Sequence, residues 1–415
     1  MRIAIASALC LLATSAQAFN LSQYKRPNIH WGQVQLHPFY ILSETYDTNI
    51  YLVPKDQPVA GQVGGGVKSS WITKNNFGLE AVLPVRKVHT YTAGYSVEHQ
   101  LYSTQPSVNN ATNQNAHLDY EYKGAYGVTV SGGDRYVNTT DQAFSELIER
   151  NRRWMNQLWA EVDFAPERSR LVGGVDASHT THKYVSGGIG KSLNRYEQKA
   201  GFNVGYMIMP KTKLYGAYHR SVIHYTVHRQ FPDQDKNNKS NHVGVGLKGQ
   251  LAPKFDGKLE AGMVFREYDE VPVGGTTKNT ENLTVDGQLT FRQSPNTEWA
   301  LMLERRLQES LAGRNRYFVA NSAVLDVKHK LPRKFSVGGN LAYAVDKYEE
   351  PQNNSSGALY NRRDDIYQYG VWVAYDIQEW LTAGVSFLSR ERNSTMSGEF
   401  NYHDEQTQLN LALKF

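Results

Sequence analysis

The chain predicts an all-β fold, a transmembrane antiparallel β-barrel of about 18 strands with short periplasmic turns and longer outer loops. Three observations lead there. Short turns recur about 42 residues apart, and each segment between them reads as strand, polar loop, strand, so the repeating unit is a long hairpin. Within the strands, apolar and polar residues alternate with a period of two. Aromatic residues stand beside the short turns, at Phe164, Tyr215, Phe255, Trp299, Phe335, Trp380 and Phe415, where amphipathic rings would meet lipid head groups. A soluble β-sandwich also alternates, but strands of about ten to fifteen residues exceed the usual soluble length of roughly 5–6.

The N-terminus reads as a signal peptide over residues 1–18. Arg2 supplies the positive charge, Ile3 to Ala16 an apolar run too short to span a bilayer, and Ala16-Gln17-Ala18 a cleavage site. Cys10, the only cysteine, lies in this segment, so the mature chain has no thiol for disulfides or metal. Removing Arg2 leaves the mature chain one charge below the formal +5, nearly neutral for its length, which argues against a nucleic-acid partner. Residues 19–34 read as a polar periplasmic lead-in, and 35–415 as the barrel, with a Gly-rich first outer loop from Val59 to Val67.

Six of the turns carry proline, which fixes φ and removes a ladder donor, ending a strand cleanly. They are Leu83-Pro84-Val85-Arg86-Lys87, Ala165-Pro166-Glu167-Arg168, Met209-Pro210-Lys211, Ala252-Pro253-Lys254, Ser294-Pro295-Asn296 and Leu331-Pro332-Arg333-Lys334. Two more fit the rhythm, near Lys123-Gly124 and at Asp376-Ile377-Gln378-Glu379. The alternation is clearest late in the chain. Leu259, Ala261, Met263 and Phe265 oppose Lys258, Glu260 and Arg266; Leu283, Val285, Leu289 and Phe291 oppose Asp286 and Arg292. The last strand sets Leu409, Leu411, Leu413 and Phe415 against Gln406, Gln408, Asn410 and Lys414, and terminal Phe415 fits an assembly signal read by the outer-membrane barrel assembly machinery.

With the apolar stripes turned to lipid, the inward set includes Glu161, Asp163, Asp176, Glu197, Lys199, Lys258, Glu260, Arg266, Asp286, Arg292, Glu304, Arg306, Asp326, Lys328, Asp346, Arg390, Arg392 and Asp404. The signs roughly balance. Such charges either pair across strands to rigidify the wall or line a hydrated pore suited to sugar hydroxyls, and both can hold together. A dedicated polyanion pore would need a basic excess. In the third outer loop, Phe144, Leu147 and Ile148 recur at helical spacing behind Thr140 or Asp141, which would leave Glu146, Glu149 and Arg150 to face the lumen. This segment reads as a short helix that constricts the channel or lies over its mouth.

Enzyme and cofactor signals are weak. Gly190-Lys191-Ser192 ends like a phosphate loop, but Val185 stands where the first glycine is needed. His224 and His228 share a strand face about 13 Å apart, too far to share a metal. His179 and His182 point to opposite faces. His219, His224, Asp176 and Ser178 could meet across strands, but nothing marks them as a triad. No cofactor, metal or catalytic residue is expected.

Leu36-His37-Pro38, followed by Ser43-Glu44-Thr45-Tyr46-Asp47-Thr48-Asn49-Ile50-Tyr51-Leu52, resembles the opening strand of a family of outer-membrane β-barrel porins encoded in exopolysaccharide biosynthesis clusters. The resemblance covers the mature chain in architecture and specific residues only at this strand. It implies polysaccharide passage, with periplasmic export components and a glycan as partners, and carries over no catalytic residues. The resulting expectation is an outer-membrane conduit for exopolysaccharide. Its rivals are a diffusion porin for small solutes, an outer-membrane enzyme and a structural or adhesion barrel.

The hairpin asymmetry makes a topological prediction. Single cysteines near Asn109, Asn237 or Asn353 should react with an impermeant thiol reagent on intact cells, and cysteines at the proline turns should not; the reverse pattern would invert the barrel.

Overall fold

The computed structural model describes residues 29–55, 66–141, 151–185, 193–227, 236–271, 278–310, 315–353, 357 and 359–415. The proposed signal peptide, most of the lead-in and the segment from Phe144 to Arg150 lie outside these residues. Eighteen strands of the described chain form the barrel wall. They are β1 (Val34–Asp47), β2 (Ser70–Val85), β3 (His89–Tyr102), β4 (Ala111–Lys123), β5 (Val128–Thr139) and β6 (Arg153–Phe164), then β7 (Leu171–Tyr184), β8 (Arg195–Met209), β9 (Thr212–Tyr225), β10 (Asn238–Ala252), β11 (Phe255–Tyr268) and β12 (Asn279–Ser294), and last β13 (Thr297–Glu309), β14 (Tyr317–Lys330), β15 (Phe335–Tyr348), β16 (Arg363–Gln378), β17 (Leu381–Ser394) and β18 (Tyr402–Lys414).

Each strand pairs antiparallel with the next, and β18 returns to β1 in a register running from Phe39↔Lys414 to Asp47↔Gln406. Closure leaves no sheet edge at membrane depth. Beyond Phe39 the seam is continued by a short strand, Ile29–Trp31, which folds back through Gly32 (φ 61) to pair with Val34–Leu36. The end of the expected lead-in is therefore part of the sheet, and the first barrel strand starts at Val34. No helix among the described residues is long and apolar enough to cross a membrane.

The prolines fall at the predicted end of the barrel with one adjustment. Pro84 stays in β2, opposite Thr90, and the chain reverses one step later through Arg86 and Lys87, both at positive φ (52 and 60). Pro210-Lys211, Pro253-Lys254 and Pro295-Asn296 are two-residue links between strands, with Lys254 at φ 66. At the other end, the first two outer loops pack together. Ile50, Tyr51, Val53, Ile72 and Tyr102 form a small buried cluster, and Tyr51 Oη donates to Gln105 Oε1 at 2.8 Å.

Burial is inside-out. Val245 and Leu341 are each 61 % exposed, whereas Asp364 and Asp404 on the opposite face are fully buried. A water-soluble sandwich would bury the first pair; an apolar outer band requires lipid. Stacked or tilted outward rings mark both ends of that band. Phe255–Phe291 (4.4 Å) and Trp380–Phe415 (5.8 Å) lie by the turns, and Tyr46–Trp71 (5.1 Å) and Tyr343–Tyr367 (5.0 Å) by the loops. Tyr215 departs from the expected girdle: it points inward and is 6 % exposed, because Leu214 occupies the outward position. Two polar side chains on the outer face find neighbours: Glu44 accepts from Thr73 Oγ1 (2.7 Å), and Arg305 donates to Asn321 Oδ1 (2.6 Å) and to the Leu283 carbonyl (3.1 Å).

This face assignment predicts that Val285→Arg or Leu411→Arg impairs assembly by roughly 2–4 kcal/mol at mid-membrane depth. Asp286→Asn should assemble normally, read as heat-modifiable mobility of the folded barrel on gels. Equal damage from both classes would mean that the two faces are exchanged.

Candidate functional site on the inner wall

Pleating puts alternate residues on opposite faces, so the outward apolar stripes decide which side chains look inward. The inner face carries Glu161 and Asp163 on β6, Asp176 on β7, Glu197 and Lys199 on β8, and Lys258, Glu260 and Arg266 on β11. Asp286 and Arg292 follow on β12, Glu304 and Arg306 on β13, Asp326 and Lys328 on β14, Asp346 on β15, Arg390 and Arg392 on β17, and Asp404 on β18. Their surroundings divide them into an open belt and a buried mouth.

In the belt, register sets three carboxylates in a row, with Glu260 opposite Asp286 and Asp286 opposite Glu304. Like charges directly opposite one another repel, and cations at the adjoining inward positions offset this. Lys258 Nζ lies 2.6 Å from Asp286 and 3.1 Å from Glu260, and Arg306 lies 3.0 Å from Glu304. Tyr215 Oη donates to Glu260 at 2.6 Å, so the tyrosine missing from the girdle completes this cluster. Asp176 meets His219 Nε2 at 3.0 Å, and Arg292 pairs with Asp256 and, at 3.4 Å, with Glu298. Lys199 and Asp326 make no hydrogen bond or ion pair among the described residues.

Inner aromatic rings lie flat against the wall because small residues face them. A Cβ on Gly201 would come within 2.1 Å of the His219 ring and 2.6 Å of the Tyr218 carbonyl oxygen; one on Gly338 would come within 2.5 Å of the Trp372 indole. Glycine at these positions keeps each ring out of the channel space and over the backbone.

The mouth is built differently. Pairing between β12 and β13 stops at Val285↔Arg305, while β13–β14 continues to Glu309↔Tyr317 and β11–β12 to Glu267↔Asn279. The β13–β14 tip thus parts from β12 and leans inward. Glu309, outward by alternation, is 4 % exposed; it accepts from Arg266 Nη1 at 2.5 Å and from Tyr225 Oη, four strands away, at 3.3 Å. Lys236 Nζ donates to the Ser310 and Asn315 carbonyls at 3.2 and 3.0 Å, and the Arg316 guanidinium lies 4.2 Å from the Tyr268 ring centre. The clasp continues through Arg195, whose Nε lies 2.8 Å from Glu197, itself 3.3 Å from His182 Nε2. At the closing seam, Arg390 Nε donates to Asp404 at 2.8 Å, and Asp404 also accepts from the Asn49 backbone N–H at 3.2 Å, tying the first outer loop to the wall. Arg266 and Asp404 are buried in these clusters, and Asp346 and Arg392 are buried as well. Alternation alone hid Glu309; a carboxylate ending an apolar stripe was the one available signal.

The motifs weighed for chemistry stay apart. Among the described residues no hydroxyl bonds to His219, and Ser178 makes no hydrogen bond. No group of three His, Cys, Asp or Glu is placed to hold a metal among them. His179 looks outward and His182 inward; the His224 ring packs at a tilt against Tyr196, 4.9 Å between centroids, on the outer face. His228 and Gly190-Lys191-Ser192 lie outside the described residues, as do Phe144, Glu146, Leu147, Ile148, Glu149 and Arg150. The root of that third loop is anchored, since Thr140 N donates to Asn113 Oδ1 at 3.1 Å.

The clasp makes a prediction. Glu309→Ala should leave assembly intact and raise single-channel conductance in a planar bilayer, because it leaves Arg266 an unpaired buried charge and frees the β13–β14 tip. Unchanged conductance would mean that the Lys236 bonds hold the tip by themselves.

The chain is similar in fold to solved outer-membrane barrels. OccAB4 of Acinetobacter baumannii is 11 % identical over 95 % of this chain and 100 % of its own, with a TM-score of 0.45. The outer-membrane protein opdK of Pseudomonas aeruginosa is 9 % identical over 92 % and 98 %, also at 0.45. OmpF of Salmonella typhi, solved with daunomycin, is 10 % identical over 94 % and 100 %, at 0.44. No curated protein matches the chain. The family model described as "Putative beta-barrel porin 2" matches residues 87–415, from the first short turn to the last residue; the Ser43–Leu52 phrase precedes the match. This closed, inside-out barrel of 18 strands belongs to that porin family.

Proposed function

We propose that the barrel is an outer-membrane conduit for an exopolysaccharide chain. The observation that carries the reading is the belt of the inner wall. Many of its carboxylates, guanidinium and ammonium groups pair with their neighbours, its two signs roughly balance, and its rings lie flat over glycine. A sliding glycan exchanges hydrogen bonds with such groups one at a time, while neither sign dominates enough to trap it or to select a polyanion. Flat inner rings such as Trp372 offer apolar faces to sugar rings. In this reading the barrel performs no chemistry; synthesis and energy come from the inner membrane, and periplasmic export components deliver the chain. Assembly machinery would read the C-terminus at Phe415, whose N–H donates to the Pro38 carbonyl at 3.0 Å. A second reading, a diffusion porin for small solutes, is favoured by the buried mouth clasp, which narrows the outer opening.

Deletion of the chain separates the two. The export reading expects loss of surface polysaccharide with uptake of small solutes unchanged. Normal surface polysaccharide with slowed solute uptake would replace it with the diffusion porin.

A further inference from the structure

The lipid-facing side of β9 to β12 changes character at one level. The outward apolar runs break after Tyr218, Val243, Phe265 and Leu283, which are direct or diagonal neighbours across the strands; the next outward residues towards the loops are Arg220, Asn241, Glu267 and Glu281, with Val222 one step further on β9. On β11 the apolar run from Phe255 to Phe265 is about 33 Å of strand, which at the usual tilt is about 25 Å of height, the thickness of the apolar band. The level just beyond Phe265 is therefore that of the outer head groups. A cavity of about 240 Å³ opens there, and its lining includes Arg220, Lys239, Asn241, Phe265, Glu267 and Glu281.

The charges of this cavity are uneven. Glu267 is held by Lys278 at 2.9 Å. Arg220 and Lys239 are exposed on the outer wall and make no hydrogen bond or ion pair among the described residues. Lys239 stands opposite Glu267 in the register, so Arg220, Lys239 and Lys278 together outnumber the two carboxylates Glu267 and Glu281 by one, above an apolar shelf of Phe265 and Val243, 41 % and 51 % exposed. We propose that this cavity binds the phosphate of an anionic lipid head group in the outer leaflet. Arg220 and Lys239 take the phosphate oxygens, Asn241 and Glu281 meet the hydroxyl or amide groups of the head group, and the acyl chains cover the shelf. A soluble phosphate would satisfy the cations but leave that shelf bare.

The test uses the folded chain in lipid nanodiscs of phosphatidylglycerol and phosphatidylcholine, with lipid retained on the released barrel counted by native mass spectrometry. Wild type should retain phosphatidylglycerol in preference. The double variant Arg220→Gln, Lys239→Gln should retain it about thirtyfold less, from two lost charges at the membrane surface. Lys347→Gln, another exposed outward lysine on β15, should behave as wild type, and gel mobility confirms that each variant is folded. Equal retention of both lipids would reduce the site to apolar contact and overturn the proposal. So would displacement by millimolar inorganic phosphate, which would make it a site for soluble phosphate, or equal loss in Lys347→Gln, which would make it a general effect of rim charge.

Discussion

Backbone hydrogen bonding in hydrocarbon is the constraint on which the structure rests. Within the bilayer no water meets a free N–H or C=O, so each must be met inside the sheet, and only closure achieves that for every strand. The seam between β1 and β18 is where this is settled. Nine consecutive pairs, Phe39↔Lys414 to Asp47↔Gln406, join the ends of the chain. Below them the Phe415 N–H reaches the Pro38 carbonyl, and the Lys414 N–H reaches Trp380 across the last short turn. Above them Asp404 accepts from the Asn49 N–H, so the seam is fastened at both ends.

Closure in turn dictates side-chain chemistry. A barrel in lipid must present apolar groups outward, which leaves the polar half of each strand to the interior. The interior is therefore crowded with charge, and register decides which charges meet. Glu260, Asp286 and Glu304 fall in one row because their strands pair at those residues. The row is tolerable because Lys258, Arg306 and the Tyr215 hydroxyl reach into it. Such a wall is held in place by its own pairs, so its groups need little reorganisation to meet a polar partner.

The outer mouth escapes this logic because two neighbouring strands part there while each stays paired on its other side. Once β13 stops pairing with β12 after Arg305, the hairpin it shares with β14 is free to lean, and its tip is held by side chains. Buried pairing of Glu309 with Arg266 needs both partners, since either one left without the other would be an uncompensated charge. The β13–β14 hairpin thus changes from wall to cover along its length.

Much of this was legible in the sequence. The prolines and their spacing marked the turns, and the period of two sorted the inner residues from the outer ones, since both are local properties of an extended, pleated chain. What the sequence could not determine depended on partners distant along the chain. Tyr215 sits beside a turn like the girdle aromatics, yet its face follows from strand parity and its role from Glu260 two strands away. Pro84 looked like the corner of a turn, but the chain reverses only where Arg86 and Lys87 take positive φ. Glu309 belonged by alternation to the lipid face. Only the point at which β13 leaves β12 turns it inward, because alternation gives the side of a strand and says nothing about where that strand parts from its neighbour.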